Sequence, residues 1–458
     1  MGEEHIYRRV YNSAPLFIKK AISHIYFPYL HAYLSGGAAY AQHARFFKKS
    51  EWWTAERLKA YQFTALKSLL EHAYSYVPYY RSLFKKNGIK PSSFKSLDDL
   101  QKLPILSRED VANNFSSLIS TKFSWKNKRL IYTSGSTGTP IKFYIDNNCT
   151  AAHNAFFLRA LSTMGTKIED KHAFFKATPF LNKKLQWHDF YYDSLNRRLY
   201  ISPISFSMAK IEKIVSRISE FEPRYIIGNP TLLYIMSKDL KGRLPDFKFL
   251  SMYETLTPEK RTAIQNRLKC EIFDWYSVKE YSASALECPA HNGLHIDLER
   301  GVFEVLGKDG DSSKHGRVIA TGIHNYAMPL LRYDLGDIVS LSAKKCSCGR
   351  HSQLISRIDG RTNDFLKFPD GRMISSYIVE DCFDGVDGIF NYKIVQVDTH
   401  NIRVSIVKSH RFQDNTIKVL KKKMKTILGK SVRLEIETVD QIPCERSGKF
   451  RNVVSMLK

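Results

Sequence analysis

From residue 150 to residue 250 the apolar positions switch repeatedly between two periods. Short apolar runs at 173–175, 198–201, 225–227 and 249–252 read as strands, because brief β-branched and aromatic runs suit a buried strand better than a helix. Segments 151–164, 208–221 and 231–240 repeat their apolar residues every three or four positions and read as helices. Strands alternating with helices predict a layered α/β architecture. Gly228-Asn229-Pro230 leaves one such strand and opens a helix. Sheets of this kind place ligand loops there, although an ordinary strand-to-helix turn has the same composition.

Upstream, Trp52, Leu58, Tyr61, Leu66, Leu69 and Leu70 recur at helical spacing and predict a helix pair over 51–90. Ser107, followed by Glu109 and Asp110, is a capped helix start. Leu16, Phe17, Ile18, Ile22, Ile25, Tyr26 and Leu30 also recur at roughly helical spacing, interrupted by Pro28. With Lys19, Lys20 and His24 in the same stretch, this segment suits either packing on the main domain or lying on a membrane surface. Downstream, 392–397 and 402–407 alternate as strands, 415–428 is a basic helix and 432–439 is another strand. Together they predict a small α+β unit.

A chain of 458 residues exceeds one ordinary core, so two or more domains are expected. A hydrophobic content of 43% marks it as globular. No apolar run reaches the roughly 18 residues of a spanning helix. The start lacks the order of charged, apolar and small residues that makes a signal peptide. Ile6 stands where N-myristoylation of Gly2 would need Ser or Thr. Seven cysteines, an odd number, fit reduced thiols in the cytoplasm. The net charge of +25 points to anionic partners. Lysines and arginines are spread along the whole chain, without a zinc finger, RNP motif or basic zipper. Small polyanions are therefore expected, and nucleic acid is not.

The most informative stretch is 131–142, I-Y-T-S-G-S-T-G-T-P-I-K. Its glycines and β-branched residues disfavour a helix interior. Leu130, Ile131 and Tyr132 before it, and Ile141, Phe143 and Ile145 after it, predict two short strands joined by a tight loop. The residue types admit a solvated turn or a phosphate cradle. A cradle would use backbone N–H groups freed by Gly135 and Gly138, the hydroxyls of Ser134, Ser136, Thr137 and Thr139, and Lys142. The Walker pattern is absent. The order T-S-G-S-T-G-T-P resembles the phosphate loop of the adenylate-forming superfamily of acyl-CoA synthetases, adenylation domains and luciferases.

Other stretches extend the resemblance. Residues 72–81, H-A-Y-S-Y-V-P-Y-Y-R, and 97–110 are similar to the N-terminal portion of the phenylacetate–CoA ligase branch. That branch includes coenzyme F390 synthetase-like and capsule-biosynthesis CapK-like proteins. Residues 274–280, D-W-Y-S-V-K-E, resemble the superfamily's Tyr-Gly-x-Ser/Thr-Glu motif, with Ser277 in place of Gly and Lys279 in place of a hydroxyl residue. Residues 332–337, R-Y-D-L-G-D, resemble R-Y-x-x-G-D. Residues 357–367 resemble the hinge motif, and 442–451 the terminal P-x-x-x-S-G-K-x-R sequence.

The resemblance implies a large N-terminal ATP- and substrate-binding α/β domain over 51–360 and a small mobile α+β C-terminal domain over 361–458. Residues 1–50 would be a basic, aromatic segment packed on the main domain, and the active site would lie between the domains. ATP phosphates would sit on Thr133, Ser134, Gly135, Ser136, Thr137, Gly138, Thr139 and Lys142. Tyr276 would stack near adenine, and Glu280 would hold Mg²⁺. Asp337 would accept the ribose hydroxyls, as an acceptor-only carboxylate suits a vicinal diol. Arg361 would contact ribose or the α-phosphate, Asn363 would be the hinge, and Lys449 would be the catalytic lysine. Met252 and Tyr253 stand before Glu254 where the branch has small residues.

The implied reaction is AMP-forming ligation, in which a carboxylic acid is adenylated by ATP, pyrophosphate leaves, and the acyl group passes to coenzyme A. The variant acceptor suggested by the capsule-linked relatives is an amine or hydroxyl of a sugar nucleotide or of a surface-polysaccharide precursor. Two rival readings stand beside it. One is transfer of AMP to a cofactor, as in F390 synthetase-like proteins. The other is a non-catalytic nucleotide-binding protein, suggested by Ser277 and Lys279. The expected location is cytoplasmic, with contact to the inner membrane face or to polysaccharide machinery as a possible role for the basic N-terminus.

Cys288, Cys346 and Cys348 with one histidine could close a tetrahedral Zn²⁺ site, or they could be reduced, unliganded thiols. Some members of the branch carry a structural zinc at matching positions, which implies His295 as the fourth ligand, with His291 and His351 as spare candidates.

Overall fold

The computed structural model describes residues 37–132, 141–175, 189–193, 196–202, 208–240, 242–307, 309–361, 365–370, 372–383, 386–429, 431–443 and 451–457. The fold is mixed α/β, with large sheets and a smaller C-terminal α+β part. The chain divides into two compact units.

The first unit comprises Met1–Glu169, Ser194–Asn196 and Trp275–Arg357. It contains the predicted helix pair, Ala55–Tyr76 and Pro78–Lys86. The break between them is set by Pro78, which forces Val77 into an extended conformation (φ −111°, ψ 109°). Leu66, Leu69, Leu70 and Ala73 on the first helix, with Tyr80 and Phe84 on the second, pack against Phe143, Ile145, Leu331 and Tyr333. The helix Arg108–Asn113 begins with a reciprocal cap, in which Ser107 Oγ accepts from Asp110 N at 3.0 Å and Asp110 Oδ2 accepts from Ser107 N at 2.8 Å.

The sheet of this unit is built from antiparallel pairs. Gly301–Leu306 pairs with His315–Gly322, which pairs with Tyr333–Leu341. Leu294–Ile296 lies between Leu354–Arg361 and Ser284–Glu287. Ser284–Glu287 in turn pairs with the last residues of Glu271–Ser277.

The second unit comprises Asp170–Asp193, Arg197–Asp274 and Ile358–Lys458. The four strands read from the sequence appear as His172–Phe175, Arg198–Ile201, Tyr225–Gly228 and Lys248–Ser251. All are parallel, as alternation with helices requires. Phe190–Asp193 adds an antiparallel edge that the sequence reading missed. It holds three aromatic or acidic residues of middling exposure and no alternation to mark it. One register row, Leu199, Ala173, Ile226, Phe249 and Ile272, faces Ile211, Ile214 and Ile218 of the helix Met208–Phe221. That helix repeats at three and four residues, the period of one apolar face.

The C-terminal part orders its strands as Arg433–Thr438, Asn401–Lys408, Ile389–Gln396 and Val453–Ser455. The helix Thr416–Leu428 buries Leu420, Met424 and Leu428 against them. Its lysines fall on the other faces, as the pattern of 415–428 predicts.

Candidate functional site

The strand Glu271–Ser277 carries Tyr276, and the strand Tyr333–Leu341 carries Asp337. They are 61 residues apart in sequence, yet Tyr276 Oη donates to Asp337 Oδ2 at 2.6 Å. The Asp337 residue is only 9% exposed, so its carboxylate is held by design of the fold and not by chance of the surface. Gly336 just before it has φ +72°, a conformation a side chain would strain. Its N–H donates to Asp334 Oδ1 at 2.8 Å, and Asp334 pairs with Arg317 at 2.8 Å. Arg332 at the head of the same motif points elsewhere. It pairs with Glu304 at 3.0 Å and donates to Leu103 O at 2.6 Å. It therefore anchors the strand.

Past Tyr276 the chain makes a tight turn. Val278 N bonds Ala283 O at 3.3 Å, Tyr281 N bonds Val278 O at 3.1 Å, and Tyr281 has φ +57°. Lys279 and Glu280 sit on this turn, Lys279 exposed and Glu280 half-buried. Partial desolvation, then the neighbouring Arg129, hold the Lys279 ammonium below its usual range, while Glu280 pulls it up. Arg129 lies in the strand Lys128–Tyr132. That strand pairs antiparallel with Lys142–Asp146, and Tyr132 stands opposite Lys142. The predicted phosphate loop is thus carried on a hairpin stem, with Lys142 at its base.

Below the stem, Asp146 caps the helix Asn147–Thr163 by accepting from Cys149 N at 2.7 Å, and its other oxygen accepts from Tyr326 N at 2.7 Å. Burial raises its carboxyl above the ordinary range against those bonds. Thr133, Ser134, Gly135, Ser136, Thr137, Gly138 and Thr139 lie outside the described residues, as do Asn363 and Lys449. Arg361 ends the strand Leu354–Arg361, and its side chain is not among those described.

Cys288, His295, Cys346 and Cys348 come together, with their ligand atoms all within 4.8 Å of one another. The Sγ atoms of Cys288 and Cys346 are 3.5 Å apart, and His295 Nε2 is 3.3 Å from Cys348 Sγ. A tetrahedral Zn²⁺ with Zn–S bonds of about 2.3 Å would need sulfurs about 3.8 Å apart. The donor set fits that ion in number, type and spacing. Ser352 Oγ lies 3.2 Å from His295 Nδ1, which turns Nε2 toward the sulfurs. Arg350 donates to Cys348 Sγ and pairs with Glu51 at 3.0 Å. Burial pushes the Cys288 thiol up to about 12. Cys348 is held down by its hydrogen bonds, against its own burial. His291, one of the spare candidates, instead pairs with Glu287 at 3.2 Å.

A domain model described as the CapK C-terminal domain matches residues 366–456. The Protein CapK of Staphylococcus aureus is 25% identical over 416 residues, covering 85% of this chain and 88% of that one. The phenylacetate–coenzyme A ligase of Escherichia coli is 25% identical, covering 85% and 93%, and that of Thermus thermophilus is 23% identical, covering 88% and 97%. The chain is a homologue of CapK and of the phenylacetate–coenzyme A ligases.

A solved structure of 2-hydroxyisobutyryl-CoA ligase in the postadenylation state superposes with a TM-score of 0.70 at 17% identity, covering 89% of this chain and 91% of that one. The adenylate-forming CoA ligase fold is therefore present in this homologue, as the sequence motifs implied.

Some pairings were not read from the sequence. The Tyr276–Asp337 bond joins two motifs that sequence reading treats separately. Asn229 donates to Glu254 Oε1 at 2.9 Å, tying the loop after Tyr225–Gly228 to the one after Lys248–Ser251. The signal for that pair was the Gly-Asn-Pro turn, which named the loop but not its partner. Tyr253 has φ +77° and its ring lies near-parallel to that of Phe174. A bulky residue in that conformation is an outlier of the kind that gathers at functional sites.

Proposed function

We propose that the chain is an AMP-forming ligase that adenylates a carboxylic acid with ATP and then transfers the acyl group to coenzyme A. The observation that carries this reading is the 2.6 Å bond between Tyr276 and Asp337, beside the turn that bears Glu280. Two motifs that are 61 residues apart in sequence meet there in one unit, as a nucleoside site requires.

The roles follow from chemistry. Asp337 accepts from the ribose diol, and Tyr276 fixes its orientation. Glu280 would offer its carboxylate to Mg²⁺, which when bound would supply charge neutralisation at the triphosphate. Thr133–Thr139 and Lys142 hold the leaving pyrophosphate. The acid's carboxylate attacks the α-phosphorus in line, Arg361 holds the nucleoside or the α-phosphate, and Lys449 stabilises the charge that builds there. No covalent enzyme intermediate is required; positioning and electrostatics supply the rate.

The same reading takes 51–360 as the ATP- and acid-binding part and 361–458 as a part that turns about Asn363 between half-reactions. It takes Cys288, His295, Cys346 and Cys348 as a structural Zn²⁺ site, closed by four protein ligands. It locates the protein in the cytoplasm. The resemblance to CapK supports a role in surface polysaccharide assembly, with residues 1–50 as the contact to an anionic membrane face or to that machinery. Among the described residues no helix is long and apolar enough to cross a membrane. Flotation with anionic vesicles, with and without residues 1–36, tests that contact.

Product analysis tests the reaction. Incubation with ATP, Mg²⁺, coenzyme A and a panel of carboxylic acids yields free AMP and a thioester on this reading. AMP attached to an acceptor would instead establish the F390 synthetase-like alternative. Absence of pyrophosphate with every acid would favour the non-catalytic one.

A further inference from the structure

Arg300 is among the largest fully buried side chains of the described residues, at 1% exposed. It follows Glu299 in the turn that leads into Gly301–Leu306. One edge nitrogen, Nη1, lies 3.3 Å from Nδ1 of His153. Its Nε and Nη2 meet no hydrogen-bond partner. No described residue forms an ion pair with the guanidinium. Asp297, the carboxylate that acts on it most strongly, is taken by Arg159 at 2.5 Å and by Ser284. Glu299 is taken by Arg159 at 2.8 Å and Ser50 at 2.6 Å.

The other neighbours are neutral at physiological pH. Burial holds the His153 imidazole well below its usual range and raises the Cys149 thiol and the Tyr281 phenol. Burial draws Arg300 itself down only to about 10, so it stays charged. The ring of Phe156, 4.1 Å from Cζ, covers the face of the guanidinium. A cation–π contact of that kind uses the face and leaves the N–H edge unmet. An unpaired buried charge and unmet buried donors are both costly.

The same region has more donors than acceptors. Trp275 Nε1 and Ser282 Oγ are buried and also lack a partner. The Trp275 ring is 6.1 Å from that of His153, and Ser282 follows Tyr281, whose ring stacks on His153 at 3.8 Å. An indole N–H and a guanidinium can only donate. What is missing is a small acceptor that carries negative charge.

We propose that Arg300 anchors a buried binding site for a small monovalent inorganic anion of the halide class, inside the first unit. The inference does not depend on the adenylation reading, and its test needs no turnover.

The thermal midpoint of the full chain is measured in sodium chloride, sodium bromide and sodium gluconate at constant ionic strength. The midpoint is expected to rise with halide by about 1–3 °C per tenfold concentration above the dissociation constant. Arg300→Met is expected to abolish that dependence, since an apolar side chain of similar volume needs no counter-ion. A crystal grown in bromide is expected to show an anomalous peak within hydrogen-bond distance of Arg300 Nε or Nη2. A midpoint indifferent to halide, or a bromide-grown crystal with only water or no peak at Arg300, overturns the proposal. If Arg300→Met does not fold, the bromide position in the unaltered protein decides alone.

Discussion

Tyr276 holds the Asp337 carboxylate in a single orientation before any ligand arrives. A vicinal diol needs two acceptor oxygens, and an amide has only one. Asp337→Asn is therefore expected to raise the KM for ATP about tenfold or more, the weight of one or two hydrogen bonds to a charged group. The 2′-deoxy nucleotide should discriminate: its penalty relative to ATP is expected in the unaltered protein and is expected to shrink in the variant. Steady-state pyrophosphate release with both nucleotides checks this.

A second residue-scale outcome concerns pH. Burial, then the neighbouring His43, draws the His324 imidazole down to about 3, and its Nε2 lies 2.8 Å from Glu299 O. The unfolded chain takes up that proton first as pH falls. Stability from His324 is thus complete above about pH 6.5 and is lost as pH falls toward 3. Thermal midpoints between pH 7 and pH 4 should fall steeply in the unaltered protein and less steeply in His324→Gln. At this scale the sequence was legible where a residue type dictates a local structure, as with the cap at Ser107. It was not legible where burial decides, because nothing local distinguishes buried His324 from the many surface histidines.

At the scale of elements, two clamps join pieces that are distant in sequence. Lys260, in the helix Pro258–Leu268, pairs at 2.8 Å with Glu380 in the helix Ser376–Glu380, and both side chains are largely buried. Removing one partner leaves an uncompensated charge, so Lys260→Met is expected to destabilise by about 3–5 kcal/mol. Replacing both, as in Lys260→Met with Glu380→Leu, should recover most of that loss in urea unfolding.

The cysteine clamp joins Cys288, at the end of Ser284–Glu287, to Cys346 and Cys348, which follow Tyr333–Leu341. The purified protein is expected to hold about one zinc per chain by atomic absorption. Cys346→Ser, or a strong chelator, should remove the metal and lower the thermal midpoint. Elements were the most legible layer. Parallel strands and helices with one apolar face announce themselves by period, which is why the helix Met208–Phe221 and the strand Arg198–Ile201 match the sequence reading. The edge strand Phe190–Asp193 was missed because its partner, and not its own pattern, makes it a strand. The cysteine cluster was legible: the thiol spacing suggested a site, the family resemblance implied His295, and the fold brings that histidine beside the three thiols.

For the whole molecule, the claim is that the Asp337 carboxylate and the lysine at position 449 serve one reaction. The motif order along the chain supports that claim. Contacts group most of residues 170–274 with the C-terminal part, which length and composition alone do not indicate. The most direct measurement is acid-dependent exchange of labelled pyrophosphate into ATP, compared between the unaltered protein and Lys449→Ala. The account predicts exchange that requires a carboxylic acid and falls at least about a hundredfold in the variant, as loss of transition-state charge stabilisation entails. Exchange that proceeds without acid, or that survives the substitution at full rate, would contradict it.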